Sequence, residues 1–345
     1  MKASNYIYAS TKIRSLEKLI LDNTDIERMV DAPDLDSAFK VLHDTDYRDN
    51  LLDVEPVNYR LALSADFQQF YILLQRLNLE REFYQLMLLE RDFTNIKLIF
   101  KAKLFNVDVA PHLKNNVLIP PTELKEIIFE ASTHSPDLMA SYPKPENRQI
   151  LENKIKKIVY EVKKTIPENI RPDELDTILS QKYFDLKQEL AEKINSSFIS
   201  NYIKTEIDAA NLLIYIRAKR LKLPKEKLIK KVITGGQADI NRIVSQYSED
   251  IRSIKPFVSA NFDQKVLQVF DEFCEKNNLF EVEKALDNFK IRFARKAKMY
   301  SYGPEVIFGY YLAKQNAITN IRIILTGKSS GLPSQAIKQT LREVY

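Results

Sequence analysis

The sequence predicts an all-α protein built from three similar helical domains around a pseudo-threefold axis, and three observations carry that prediction. Only 6 of the 345 residues are Gly, where average usage would give about 24. Apolar residues recur in steps of three and four over long stretches, the period of one helix face. A set of residues also returns twice along the chain at spacings above one hundred. So little glycine disfavours folds that spend it on tight turns and phosphate cradles, such as Rossmann domains, P-loop NTPases and β-barrels.

Taken in order, the first apolar stripe is Phe67, Phe70, Tyr71, Leu74 and Leu77. The second is Leu186, Leu190, Ile194, Phe198, Tyr202 and Ile203, and the third is Leu286, Phe289, Phe293, Ala297 and Tyr300. Each predicts a long helix. Breakers separate them: Pro120-Pro121, Ser135-Pro136, Tyr142-Pro143-Lys144-Pro145, Ile166-Pro167, Arg171-Pro172, Gly235-Gly236 and Lys255-Pro256. Proline removes a donor and pushes its predecessor out of the α region.

The repeat is read from polar as well as apolar positions. Glu90 to Ile96, Glu206 to Leu212 and Gln315 to Ile321 align on Asn95, Asn211 and Asn320, which lie 116 and then 109 residues apart. In the same register Ala102-Lys103 answers Ala218-Lys219 and Gly327-Lys328, and Leu223-Pro224 answers Leu332-Pro333. Phe83, Ile199 and Phe308 share a position, as do Leu86, Tyr202 and Tyr311. Apolar coincidences are common between amphipathic helices, whereas a repeated Asn, Lys and Leu-Pro at fixed offsets is not. A period this long exceeds that of a solenoid, so the expected units are residues 1–130, 131–255 and 256–345. In copies two and three the proline after Leu is expected to start a short helix, where its missing N–H has no intrahelical partner.

Composition bounds the chemistry. Fifty-two Lys and Arg against 47 Asp and Glu leave a charge of +5, mildly basic. The single Cys274 cannot form an internal disulfide and suits a reducing compartment. Met1 to Tyr6 leads into mixed polar sequence without an apolar run, so no secretory signal is expected. The apolar run Val306 to Ala313 is eight residues, far short of the roughly 18 that span a bilayer. His43, His112 and His134 have no partner at a metal-ligand spacing. No nucleophile elbow, Walker loop or dinucleotide fingerprint occurs, and no cofactor is expected. The pairs Glu90/Asp92 and Glu206/Asp208 resemble acid–base dyads, but the third copy has Gln315 and Ala317 there. Residues two apart on a helix also point apart. Local helix support is expected, with Asp92 beside Asn95 and Asp208 beside Asn211.

Two basic stretches are candidates for a partner surface. From Arg217 to Lys231 run Arg217, Lys219, Arg220, Lys222, Lys225, Lys227, Lys230 and Lys231, opposed by Glu226 alone. Lys290, Arg292, Arg295, Lys296 and Lys298 lie on the third stripe among Phe289, Phe293 and Tyr300. Such stretches bind acidic proteins, anionic lipids or nucleic acid, or they form a solvated helix face whose aliphatic stems cover apolar neighbours. Neither an aromatic platform nor a nucleic-acid motif accompanies them, so nucleic acid is not the expected partner.

The C-terminal third carries a resemblance. Tyr302-Gly303-Pro304-Glu305, Tyr311-Leu312-Ala313-Lys314, Asn320-Ile321-Arg322-Ile323-Ile324, Gly327-Lys328 and Gly331-Leu332-Pro333 look like the ending of the C subunit, also called the d subunit, of prokaryotic V-type (A/V-type) ATPases. Tyr8-Ala9 and Lys12-Ile13-Arg14 resemble the family's start, and the similarity extends over essentially the whole chain. Gln315 and Ala317 depart from it, since relatives often carry glutamates there. The resemblance implies a funnel of three helical domains on the cytoplasmic face of the membrane, peripheral to it. Such a funnel caps the proteolipid ring and holds the D and F subunits of the central stalk. ATP hydrolysis then occurs elsewhere, and this chain transmits torque for H⁺ or Na⁺ transport without catalysing anything. A helical scaffold of another cytoplasmic complex is the alternative. On either reading Arg217, Lys219, Arg220, Lys222, Arg292, Arg295 and Lys296 are the candidate interface. Asn95, Asn211, Asn320, Lys103, Lys219, Lys328, Gly303, Pro304 and Glu305 are expected to serve the repeat's own architecture.

Overall fold

The computed structural model describes residues 2–45, 47–48, 51, 54–129, 150–167 and 169–345, and among them every regular element is helical. The breakers at Ser135-Pro136 and 142–145, His134 and the expected 130/131 boundary lie outside these residues.

An N-terminal segment carries α1 (Lys2–Glu17), α2 (Asn23–Asp31) and α3 (Leu35–Val41). Within residues 1–130 follow α4 (Tyr59–Arg76), the long α5 (Arg81–Phe105) and α6 (Pro121–Phe129). Next along the chain come α7 (Ile150–Thr165), α8 (Pro172–Ile194), the long α9 (Ser197–Arg220), α10 (Lys225–Lys231) and α11 (Ile240–Ser245). From 255 onward come α12 (Lys255–Asn261), α13 (Gln264–Lys276), α14 (Leu279–Ala294), the long α15 (Pro304–Ser329) and α16 (Ser334–Thr340). Pro224 and Pro333 each immediately precede a short helix, α10 and α16, at its N-cap.

Two of the predicted long helices are divided. The stripe from Leu186 to Ile203 breaks because Asn195 takes a left-handed conformation (φ 57°) and the Ser196 hydroxyl then caps α9 at Ile199 N–H. Asn tolerates that conformation better than most residues, since its short polar side chain can bond locally. The stripe from Leu286 to Tyr300 likewise outlasts α14, which ends at Ala294 and passes into a 3-10 turn over Arg295–Met299.

The repeated asparagines are buried and all do the same thing. Asn95 donates its amide N–H to Lys114 O (2.9 Å) and accepts from Lys114 N–H (2.7 Å). Asn211 clamps Ile233 in the same two-bond manner, at 2.8 and 2.8 Å. Asn320 clamps Arg342, at 3.0 and 2.9 Å. An amide side chain matches a backbone N–H and C=O pair, so it fastens the returning chain to the long helix without leaving a buried group unpaired. One turn earlier, Asp92 accepts from Leu118 and Ile119 N–H, and Asp208 from Gln237 and Ala238 N–H. These carboxylates therefore hold distant loops rather than supporting their own helix beside Asn95 and Asn211, as their spacing had suggested. In the third copy Ala317 cannot do this, and Asn316 instead donates to Glu343 O at 2.8 Å.

The repeated lysines also serve backbone carbonyls. Lys103 bonds Ile128 O (2.6 Å) and Lys219 bonds Glu249 O, both downstream. Lys328 reaches back nearly the length of the chain to Ala32 O at the end of α2. There, α2, α3 and the turn after α3 pack on the C-terminal half of α15 and on α16, with Met29, Val30, Phe39 and Leu42 clustered with Ile321, Ile324 and Leu325 of α15 and Ile337 of α16. At the other end of α15, Gly303 has φ 130° and donates its N–H to Ser10 Oγ of α1 (3.1 Å). A side chain there would be strained by that φ. Pro304 then opens the helix, and Glu305 accepts from the Ser196 hydroxyl at 2.6 Å.

The repeats join in a consistent way. Each long helix packs against the helix that precedes the next long helix: α5 on α8, α9 on α14, and α15 on α4. One repeat position supplies a polar link at all three joints. Lys101 pairs with Asp176 (2.8 Å), Arg217 with Glu283 (2.6 Å), and the Thr326 hydroxyl meets the Tyr59 hydroxyl (2.7 Å). The third joint also contains a buried ion pair, Lys314 with Asp66 at 2.8 Å.

Candidate partner-binding site

The long helices α5, α9 and α15 come together through equivalent residues. Phe83, Ile199 and Phe308 are buried there, as are Leu86, Tyr202 and Tyr311 one turn on. Tyr202 and Phe308 meet edge to face at 5.2 Å between centroids, joining α9 to α15. One further turn along, at Glu90, Glu206 and Gln315, burial ends, and Thr94, Ala210 and Thr319 on the same face also reach solvent. The helices therefore touch at one level, and the same face of each is at least partly exposed over the next two turns.

At the transition lies a pit of about 30 Å³, lined by Glu90, Tyr183, Lys187, Tyr202, Glu206, Tyr311 and Gln315 among others. That volume suits a single water-sized guest. Lys187, from α8, forms a 2.5 Å ion pair with Glu206. Burial works against the Lys187 ammonium, but the Glu206 carboxylate reverses this and holds its pKa well above the ordinary lysine range. Gln315 donates to Glu90 (3.3 Å) and to the Tyr311 hydroxyl (2.7 Å), and Tyr311 also donates to Glu90 (3.3 Å). Burial pushes the Tyr183, Tyr202 and Tyr311 hydroxyls far above the usual phenol range, so they act as neutral hydrogen-bonding groups. Asp92, behind the pit, is raised to about 7 by burial, against the lowering effect of the Leu118 and Ile119 N–H groups.

The seven residues expected at an interface divide. Arg217 is tied to Glu283 across a repeat joint. Lys219 is tied to Glu249 O and lies 4.8 Å over the Tyr247 ring. Arg292 holds Asp263 (2.7 Å) and Glu343 (2.6 Å), while Arg295 holds Val344 O and Glu343, so both secure the C-terminal tail. Arg220, Lys222 and Lys296 face solvent, Lys296 with its amine 4.8 Å from the Phe293 ring. The structure does not unite the two basic stretches: the first meets α14 at Glu283, near its start, and the second begins at its far end. Sequence reasoning passed over Lys187, and weighed Glu90, Glu206 and Gln315 only as members of local pairs and not as one site. The repeat register was the signal available, since all three acceptor-bearing side chains fall in one column.

Among the described residues no three His, Cys, Asp or Glu side chains are grouped to hold a metal ion, and no helix is long and apolar enough to cross a membrane. A family model for the ATP synthase (C/AC39) subunit matches residues 9–340. The chain is similar to the C subunit of the A-type ATP synthase of Desulfurococcus sp. (strain SY), at 24% identity covering 99% of this chain and 92% of that protein. It is 25% identical to the corresponding A-type ATP synthase protein of Methanosphaera stadtmanae, covering 97% of this chain and 87% of the relative. Similarity to the C subunit of the V-type sodium ATPase of Enterococcus hirae is 19%, over 96% of this chain and 97% of that protein.

Proposed function

The chain belongs to the ATP synthase (C/AC39) subunit family, and from that premise we propose that it is the non-catalytic rotor adapter of its A/V-type ATPase. In this role it caps the proteolipid ring at the cytoplasmic face of the membrane and holds the D and F subunits of the central stalk. Torque from ATP hydrolysis in other subunits passes through it to drive H⁺ or Na⁺ transport. Its three lobes correspond to residues 1–130, 131–255 and 256–345, with the N-terminal segment of the first laid against the third.

The observation that carries the reading is the meeting of three equivalent long helices around one pit, each helix baring the same face beyond it. A shaft end seated against those three faces would be gripped by all three repeats at once. Close-packed helical interiors resist compression and transmit strain, which is what a coupling part requires. Polar links at all three repeat joints support the same role.

The test is affinity capture of the tagged chain from membranes solubilised in mild detergent. Recovery of the proteolipid together with the D and F subunits is the expected result, with no ATP turnover by the isolated chain. Capture that yields neither neighbour, or ATP hydrolysis by the isolated chain, overturns the proposal.

A further inference from the structure

Tyr202 is only 6% exposed, and its hydroxyl has no hydrogen-bond partner among the described residues. Its ring is fixed edge-on between Phe293 (5.7 Å between centroids) and Phe308 (5.2 Å), so the side chain cannot swing away to find one. The other two residues at its repeat position differ. Leu86 has no hydroxyl, and the Tyr311 hydroxyl donates to Glu90 and accepts from Gln315. The charges that bear on the Tyr202 hydroxyl belong to Glu206, Lys187 and Glu90, and all three of these residues line the pit. Its oxygen therefore lies at the pit wall. A buried hydroxyl is rarely left unsatisfied, because it forfeits the hydrogen bonds it would make in water.

The rest of the lining has acceptors to spare. Glu206 offers one carboxylate oxygen, Oε2, to Lys187 at 2.5 Å, and Glu90 offers its Oε2 to both Tyr311 and Gln315. The Oε1 atom of each accepts from no described residue, nor does Oε1 of Gln315. Two carboxylates with free oxygens and one unspent hydroxyl call for a guest that donates two hydrogen bonds and accepts one. The pit's volume of about 30 Å³ is the share of a single molecule in liquid water. An alkali cation would stand beside the Lys187 ammonium, and an anion beside two carboxylates, so like-charge repulsion disfavours both.

We propose that the pit is a binding site for one ordered water, which accepts a hydrogen bond from the Tyr202 hydroxyl and donates to Glu206 and Glu90. Through Tyr202 and Glu206 it holds α9, and through Glu90 it holds α5. Glu90 is itself bonded to Tyr311 and Gln315 of α15, so the water completes a polar link among all three long helices at the level where they cease to touch. A bridging water makes hydrogen bonds nearly as favourable as direct ones. The site arises from the packing of the helices and does not depend on the partners proposed above.

The test is a crystal structure of the full chain, at a resolution that shows ordered waters, for the parent protein and for Tyr202→Phe. A parent crystal soaked in rubidium chloride is also measured for anomalous scattering. The parent should show one peak in the pit at hydrogen-bond distance, about 2.7–2.8 Å, from the Tyr202 hydroxyl and from a carboxylate oxygen of both Glu90 and Glu206, with no rubidium signal there. Tyr202→Phe keeps the ring among Phe293 and Phe308 and should lower the occupancy of that peak at least twofold. A parent map in which the Tyr202 hydroxyl bonds Glu206 directly, with no peak between them, overturns the proposal. So does a rubidium peak in the pit, which would make the guest a cation, and so does undiminished occupancy in the variant. The two parent measurements decide the matter even if the variant does not fold.

Discussion

The outer side of each long helix and the side that faces its two counterparts obey different rules. Outward, Asn95, Asn211 and Asn320 are the same residue making the same pair of bonds to a returning chain. Inward, equivalent positions read Glu90, Glu206 and Gln315, or Lys97, Leu213 and Arg322. The difference teaches that repetition here belongs to the scaffold, whereas the side turned toward the other long helices differs from copy to copy. A turn at the end of each long helix lies between these extremes. Asn106, Lys222 and Gly331 share a repeat position and all adopt positive φ, at 50°, 50° and 68°, although their side chains differ entirely. Lys222, expected at an interface, thus also has a local structural task.

Four measurements press on this contrast. The largest effect is expected at the joint between the third and first repeats, which no peptide bond closes. Asp66→Ala strands the buried Lys314 ammonium and costs about 3–5 kcal/mol. Chemical denaturation checks it, and a loss no greater than that of an exposed pair such as Lys276–Glu272 would show the joint to be slack.

Next is a pH effect that separates the repeats. The Asp92 carboxyl is raised from 3.8 to about 7, so the folded state takes up its proton more readily than the unfolded chain. Its contribution is full below about pH 4 and is lost as pH rises through 7, a span on the order of 4 kcal/mol. Asp208 is shifted in the same direction, also chiefly by burial, while Ala317 has nothing to titrate. Asp92→Asn should flatten much of the decline in denaturation midpoints between pH 4 and 7. A slope identical to the parent's would remove Asp92 from the account.

Third, Asn95→Ala, Asn211→Ala and Asn320→Ala each leave a backbone N–H and C=O without their partner and should cost about 2–4 kcal/mol. Similar values at the three sites are the expected outcome. One site below 0.5 kcal/mol, on the order of a surface substitution, would mean the clamps are alike in geometry only. The smallest effect is a gain: Lys222→Gly should stabilise by about 1 kcal/mol by relieving the left-handed turn, read as a small upward shift in melting temperature.

Much of this scaffold could be read from residue order because the informative interactions recur at fixed offsets. Asn95, Asn211 and Asn320 announced the repeat, and Leu-Pro announced α10 and α16. What periodicity cannot supply is the partner of a side chain many residues away. Nothing near Asp92 points to Leu118, and nothing near Lys328 points to Ala32. The apolar stripe through Asn195 hid a helix end because Ile194 and Phe198 keep helical spacing across the break. Arg292 and Arg295 read as a free basic face because their acceptors, Glu343 and Val344, belong to the distant tail. The pit was within reach of the register but not of any motif, since its members are drawn from α5, α8, α9 and α15, far apart in the sequence.

The rotor-adapter claim is tested most directly by ATP-driven ion uptake into membrane vesicles stripped of this chain and then resupplied with it. Stripped vesicles should still contain ring and catalytic subunits but accumulate no ion, and adding the chain back should restore uptake. Undiminished uptake without the chain would contradict the account.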